Sequence, residues 1–458
     1  MITTADGFQT GDSPARLEDE RFLTGKGVYV DDLACPEALY AVFLRSPHAH
    51  ARIDRIDTSS SLATAGVRLV LTGDGLRRDG IAPLAPHATV NPHNAEPYRF
   101  EPQPILAVDR VRYVGEPVAL VIGHSVAAAQ DGVEAIAVDY TPLPVITTGT
   151  EALRPGSVQI SDTVPNNLCL DWEYGDREWT DRAFATATYV VDIAIDNHRI
   201  VINPMEPRGA IAAFDRDTGH FRLDVSTQNV HAIRDLIADS LGVAPGHVRL
   251  VAPDVGGGFG VRNFVYNEYV ALLCAARETH RPIKWINTRS DGFSADHQAR
   301  DFQANARLAL DDDGRFLGLA IDSVANVGGY MIGVACGVQT GQYVALPGSV
   351  YDIPAQSLAI RAALSNTAPI GVTRGPGFAE MCDVLERLID RASVVTGIDR
   401  FALRAKNFIA RNAMPWKNAA GTVVDSGDFA RCFYIGWMET GRFLAYPLEA
   451  PDADGLQS

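Results

Sequence analysis

Three short segments hold residues whose types and spacing can do chemistry. The first is VRLVAPDVGGGFGVRN, Val248–Asn263, where an apolar strand runs into Gly256, Gly257, Gly258, Phe259 and Gly260. Glycines there let the backbone take positive φ and approach a ligand closely. A helix opening just after them would leave free N–H groups for an anion or an oxo ligand. Spacing excludes two nucleotide readings. A dinucleotide fingerprint in phase with Gly256 needs glycine where Val261 stands, and a phosphate loop needs a closing Gly-Lys-Ser/Thr that is not there. On these residues alone a tight structural turn remains open. The second segment, VSTQNVHAIRDLI (Val225–Ile237), passes from strand to helix through Thr227, Gln228 and Asn229. An amide at such a junction donates and accepts at once, which suits a heterocycle edge or a metal oxo group; Asn229 by itself reads as an N-cap. The third, Ala368–Ser393, places Arg374 among Gly371, Gly375, Pro376 and Gly377, ahead of a long amphipathic helix. Arginine is permanently charged and offers planar donors to an anion or oxo group. A surface arginine on a flexible loop is the alternative, and Glu380 is expected to cap the helix.

Two other groups have structural readings. His48 and His50 lie two apart on one face of a strand-like segment, but no third ligand is close in sequence, so they read as structural. Glu206 and Arg208 in MEPRG sit at a strand end, where they would orient the loop.

Residues 1–17 read as a polar lead-in. A compact α/β region follows over 18–147, with buried strands at Ala38–Ser46, Val67–Gly73 and Pro117–Gly123. Ser125 caps a helix that runs into a strand ending near Tyr140. Ala82–Phe100, rich in Pro, Asn and His, reads as a surface loop. The stretch 148–174 reads as a polar linker. A second, mixed α/β region spans 175–445, with helices at Val230–Gly242, stopped by its glycine, and Asn267–His280; 446–458 reads as a frayed tail.

The formal net charge of the 458 residues is −16, which argues against a nucleic-acid or anionic-membrane surface. Any anionic ligand must therefore be held by local donors. The six cysteines are scattered singly, with no C-x-x-C, so no iron–sulfur cluster, zinc ribbon or c-type haem is expected in this chain, and the thiols read as reduced and mostly buried. Neither a signal peptide nor a membrane span is expected, and the location implied is cytoplasmic.

Taken in order, RLEDERFLTGKGVYVDDL, RSPHAHARI, VRYVGEPVALVI, VDYTPLPVI, NPMEPRGAIA, TQNVH, GGGFG, RPIKW, TRGPG and DSGDFARCF resemble the large subunit of the xanthine dehydrogenase/aldehyde oxidase family, in particular the bacterial branch that includes the carbon monoxide dehydrogenases. The resemblance implies an α/β (α+β) chain: an α/β hammerhead domain, then the first molybdopterin-binding domain. It implies a molybdenum hydroxylase whose pterin is of the cytosine dinucleotide form, with water as the oxygen source. Iron–sulfur clusters and FAD would sit on partner subunits. By the same resemblance Gln228 bonds the apical oxo group, Gly257, Gly258, Phe259 and Gly260 line the metal face, and Arg374 and Gly375 form the opposing loop, with the Arg374 main-chain N–H near an equatorial ligand.

Three departures shape the expectation. The family's second molybdenum domain, which carries the general-base glutamate, has no counterpart here, so no catalytic residue is named and a second molybdenum-domain chain is expected. Gly375 stands where carbon monoxide dehydrogenases place a copper-binding cysteine, which implies neither copper nor carbon monoxide oxidation. Asn263 stands near the glutamate with which purine-oxidising members contact their substrate, which favours an aldehyde, N-heterocycle or other small carbon substrate. The alternative is a non-catalytic or truncated homologue that folds but binds no cofactor.

Overall fold

A seven-stranded sheet runs through both expected regions. Its strand order is Val248–Val251, His220–Val225, Gly209–Asp215, Ile283–Ile286, Leu39–Arg45, Pro117–Gly123 and Val67–Thr72. The computed structural model describes residues 13, 15–417 and 421–440. The seam between the regions is a parallel pairing, Leu39 with Ile283 and Tyr40 with Lys284. PVALVIG, apolar throughout, becomes a fully buried inner strand, as a run without alternation should. Helix Asn267–Thr279 lies across strands of both regions, with ten of its residues buried. One core accordingly joins Leu39, Leu120 and Ile122 to Leu223, Ile233 and Leu272. Helix Val126–Glu134 packs on Leu39–Arg45 and Pro117–Gly123, its N-terminus capped by Ser125, whose Oγ accepts from Ala128 N at 3.1 Å.

A five-stranded sheet follows in the order Leu168–Gly175, Ala355–Leu364, Phe316–Gly328, Phe302–Leu310 and Tyr189–Asn197. The amphipathic helix Phe378–Thr396 packs on its Tyr189–Asn197 side, closing a second core around Ile195, Leu308, Ile321, Leu385 and Leu388. A three-stranded sheet (Arg110–Val111, Ala51–Asp57, Ala137–Pro142) and a two-stranded ribbon (Gln298–Ala299 with Ile200–Val201) complete the parts used below.

Several stretches differ from expectation. Residues 148–174 carry a helical turn at Gly149–Ala152 and most of the strand Leu168–Gly175, whose apolar alternate residues pack into the second core. The Ala82–Phe100 segment is pinned to the second region: Ala88 N donates to Gly333 O at 3.0 Å, and Tyr98 Oη pairs with Thr340 Oγ1 at 2.7 Å. Cys169, Cys274 and Cys336 are buried, whereas Cys382 and Cys432 are exposed. The expected tail, 446–458, lies outside the described residues. Among the described residues no helix is long and apolar enough to cross a membrane.

Candidate functional site

Gln228 leaves the strand His220–Val225 and enters the helix Val230–Leu241, which Asn229 caps by accepting from Ala232 N at 3.2 Å. Gln228 N and Thr227 Oγ1 both donate to Arg262 O, at 3.0 and 2.9 Å, which stitches this turn to the far end of the glycine run. The Gln228 side chain reaches back: its Oε1 accepts from Gly260 N at 2.9 Å. With the oxygen engaged, the amide nitrogen is the end left to donate outward.

The glycine run is bent by positive φ at Gly257 (112°), Phe259 (53°) and Gly260 (100°). For Phe259 that conformation costs about 1–3 kcal/mol and must be held by its surroundings. Arg374 N donates to Phe259 O at 2.9 Å, and the Arg374 guanidinium lies 5.6 Å from the Phe259 ring centre. The approach is too close for side chains. A Cβ on Gly258 would stand 2.5 Å from Gln228 Cδ, and one on Gly260 would stand 2.8 Å from Val372 O. The turns around Gln228, Phe259 and Arg374 therefore meet by direct contact. The N–H groups of Gly257, Gly258 and Phe259 meet no protein acceptor among the described residues.

Three local expectations change. No α-helix opens directly after the glycines; a single 3-10 turn at Val261–Asn263 follows, and the α-helix starts at Asn267 with its first residues buried. The unpaired donors come instead from the glycine loop itself, bent by its positive-φ residues. The Arg374 N–H is committed to Phe259 O, so it is not an open donor. Glu380 does not cap its helix: it is buried, and its carboxylate binds Arg300 Nη1 at 3.0 and 3.1 Å. Asn263 donates its main-chain N–H to Gly260 O at 3.0 Å and lines a small, largely apolar cavity with Leu84, Ile233, Leu236, Phe264 and Ile332.

Behind the wall lies a frame of charges. Glu206 Oε2 accepts from Gly256 N at 2.8 Å and Ser226 Oγ at 2.6 Å, so it does orient the loop. Asp254 ties the run to the N-terminal segment through Val28 N at 2.7 Å and Arg21, whose hydrogen bond holds the carboxyl below its ordinary range. Arg208, fully buried, pairs with Glu268 and Asp296 at 3.0 and 2.7 Å and covers the Tyr266 ring. Arg45, reaching across the seam, also binds Glu268 at 3.1 Å. Burial alone would raise the Glu268 carboxyl, but Arg208 and Arg45 overcome it and hold it down at about 2. His50 is a buried structural residue whose Nδ1 lies 2.7 Å from Pro144 O. Arg300, which no pattern in the sequence marks, bonds the carbonyls of Arg374 and Gly375 at 3.1 and 3.3 Å. The carboxylates of Glu206 and Glu380 are thus occupied, the first by Gly256 N–H and Ser226 Oγ–H and the second by Arg300.

Comparison with known proteins bears on what such a donor-rich wall faces. The α/β hammerhead domain of aldehyde oxidase and xanthine dehydrogenase matches residues 24–144, and the molybdopterin cofactor-binding domain matches residues 160–408. The chain belongs to the aldehyde oxidase and xanthine dehydrogenase family. Within that family, the carbon monoxide dehydrogenase large chain of Hydrogenophaga pseudoflava is 33% identical over 90% of this chain. The structure of quinoline 2-oxidoreductase from Pseudomonas putida 86 superposes with a TM-score of 0.86 at 32% identity over 94% of this chain. This chain spans about half the length of these family members, 52% and 54% respectively. The nicotinate dehydrogenase large molybdopterin subunit of Eubacterium barkeri, 25% identical, matches over 94% of both lengths.

Proposed function

We propose that this chain forms one wall of the active site of a molybdenum hydroxylase, an oxidoreductase acting on an aldehyde or N-heterocycle with oxygen taken from water. The observation that carries this reading is the direct contact of three backbone turns around Gln228, Phe259 and Arg374, beside main-chain N–H groups that meet no acceptor among the described residues. Those residues fit a molybdenum–pterin group, whose oxygens and sulfurs are acceptors: the wall offers N–H groups and keeps its carboxylates occupied behind it. When bound, the group supplies the two-electron redox chemistry and the activation of water.

The chain's own residues hold and orient. Gln228, its oxygen fixed by Gly260 N–H, would hold the group through its amide N–H. Gly257, Gly258, Phe259 and Gly260 form the metal face, close enough only because Gly258 has no Cβ. Arg374 and Gly375 form the opposing loop. Asn263, in place of a substrate-contacting glutamate, favours an aldehyde or N-heterocycle over a purine. Gly375 in place of a copper-binding cysteine favours a site without copper.

The general base and the remaining cofactor contacts come from a second molybdenum-domain chain. Support comes from the Eubacterium barkeri subunit, matched along nearly its whole length, and from Met205, Phe259 and Phe378, large apolar side chains left exposed on or beside the segments that build the wall. Iron–sulfur and FAD subunits carry the electrons away, the pterin is of the cytosine dinucleotide form, and the complex works in the cytoplasm. The test is co-expression with the neighbouring genes, purification and elemental analysis. A stable complex containing molybdenum is expected, and a complex without it would end the proposal.

A further inference from the structure

We propose that Arg300 is a positioning residue of this site, fixing the Gly375 N–H as the outward donor of the Arg374–Gly375 loop; the assignment rests on the functional reading above. Arg300 lies after the ribbon strand Gln298–Ala299 and, with Asp301, forms a consecutive pair of non-glycine residues at positive φ, 66° and 63°. Such a pair survives only where the surroundings over-determine it. Asp301 is held by Arg199 Nε at 2.7 Å and Asn326 Nδ2 at 3.0 Å. Arg199 also donates to Ala368 O at 2.7 Å, at the start of the same loop.

The strained backbone aims one guanidinium at three acceptors. Nη2 donates to Arg374 O at 3.1 Å; Nη1 donates to Gly375 O at 3.3 Å and to the Glu380 carboxylate. Arg300 and Glu380 are both largely buried, 14% and 7% exposed at their side chains. In a trans peptide the C=O and the next N–H point in opposite directions. Drawing Arg374 O toward Arg300 therefore turns Gly375 N–H away from it. The Gly375 N–H has no protein acceptor among the described residues, and the residue itself stands in the open, since a Cβ built on it meets nothing within 4 Å. Arg374 N–H is already spent on Phe259 O. Pro376 has no N–H. Gly375 thus offers a backbone donor from this loop to an oxygen or sulfur of the cofactor, and Arg300 sets its aim. Lysine at 300 reaches the carboxylate but lacks the planar fork that serves both carbonyls together.

The experiment uses the assembled complex with Arg300→Gly, Arg300→Lys and wild type. Glycine keeps the left-handed backbone without steric cost, so Arg300→Gly is expected to fold. Hydrogen exchange of peptides covering residues 371–381 should quicken about tenfold or more in Arg300→Gly. Molybdenum per protein should fall by about tenfold. Arg300→Lys should retain more molybdenum than Arg300→Gly while shifting the molybdenum(V) EPR signal of the reduced complex. Wild-type exchange rates in Arg300→Gly would overturn the clamp. Quickened exchange with unchanged molybdenum content and an unchanged EPR signal would overturn its role toward the cofactor. If wild type itself lacks molybdenum the functional reading fails, and the exchange measurement still decides on Arg300.

Discussion

At the scale of single residues the site is a matter of what can be left out. Gly258 matters for its missing Cβ, because any side chain there drives into Gln228 Cδ at 2.5 Å. Gly258→Ala should therefore swing the Gln228 amide off Gly260 N–H while leaving both hydrophobic cores untouched. The expected outcome is molybdenum content reduced by about tenfold with a melting temperature within a few degrees of wild type, read by elemental analysis and calorimetry. An alanine variant with full molybdenum content would remove Gln228 from the site. Residue types in glycine-rich surroundings were also the most legible feature of the sequence. Gln228, the glycine run and Arg374 stand out by kind, and their contact follows the expected pattern. Arg300 does not stand out, because nothing in one sequence marks an arginine whose backbone is left-handed. The Arg374 N–H is a second instance, since a main-chain partner 115 residues away at Phe259 leaves no trace in local composition.

At the scale of elements, the loops of the site are set by what braces them from behind. Glu116, just ahead of the strand Pro117–Gly123, accepts from Arg112 N at 2.6 Å and from Tyr330 Oη at 2.9 Å. Through Tyr330 it holds the segment after Phe316–Gly328 against Thr367, whose O accepts from Gly329 N at 2.8 Å. Burial drives the Glu116 carboxyl up to about 7, although Arg112 pulls it the other way. A carboxyl raised on folding favours the protonated form, so its contribution is full below about pH 4.5 and is lost as pH climbs toward 7. The span corresponds to about 3 kcal/mol. Glu116→Gln should remove that slope, which denaturant unfolding at pH 5 and pH 7.5 would show; an undiminished slope in the variant would place its origin elsewhere. Strands and helices themselves were readable where pattern is strong. Pro117–Gly123 and the helices starting at Val230 and Asn267 follow their expected bounds to within a residue. The strand Leu168–Gly175 was not readable, because PNNLCLDWEYG begins with turn residues and its partner strand, Ala355–Leu364, lies almost two hundred positions on.

At the scale of the molecule, pattern along the chain suggests two domains joined by a linker, and the seven-stranded sheet takes strands from both. Leu39 pairs beside Ile283, and the Arg45–Glu268–Arg208 cluster crosses the same line. Long-range parallel pairing of this kind is invisible to local periodicity, since both partners read as ordinary buried strands. Its consequence concerns the covalent link. The turn around Arg154–Gly156 is exposed, and cutting it once severs the polypeptide without opening the seam. The two fragments should travel together through size-exclusion chromatography as one native particle and separate only in denaturant. Were they to part under native conditions, backbone pairing would not be what keeps the front of this chain registered on the wall built around Gln228 and Phe259.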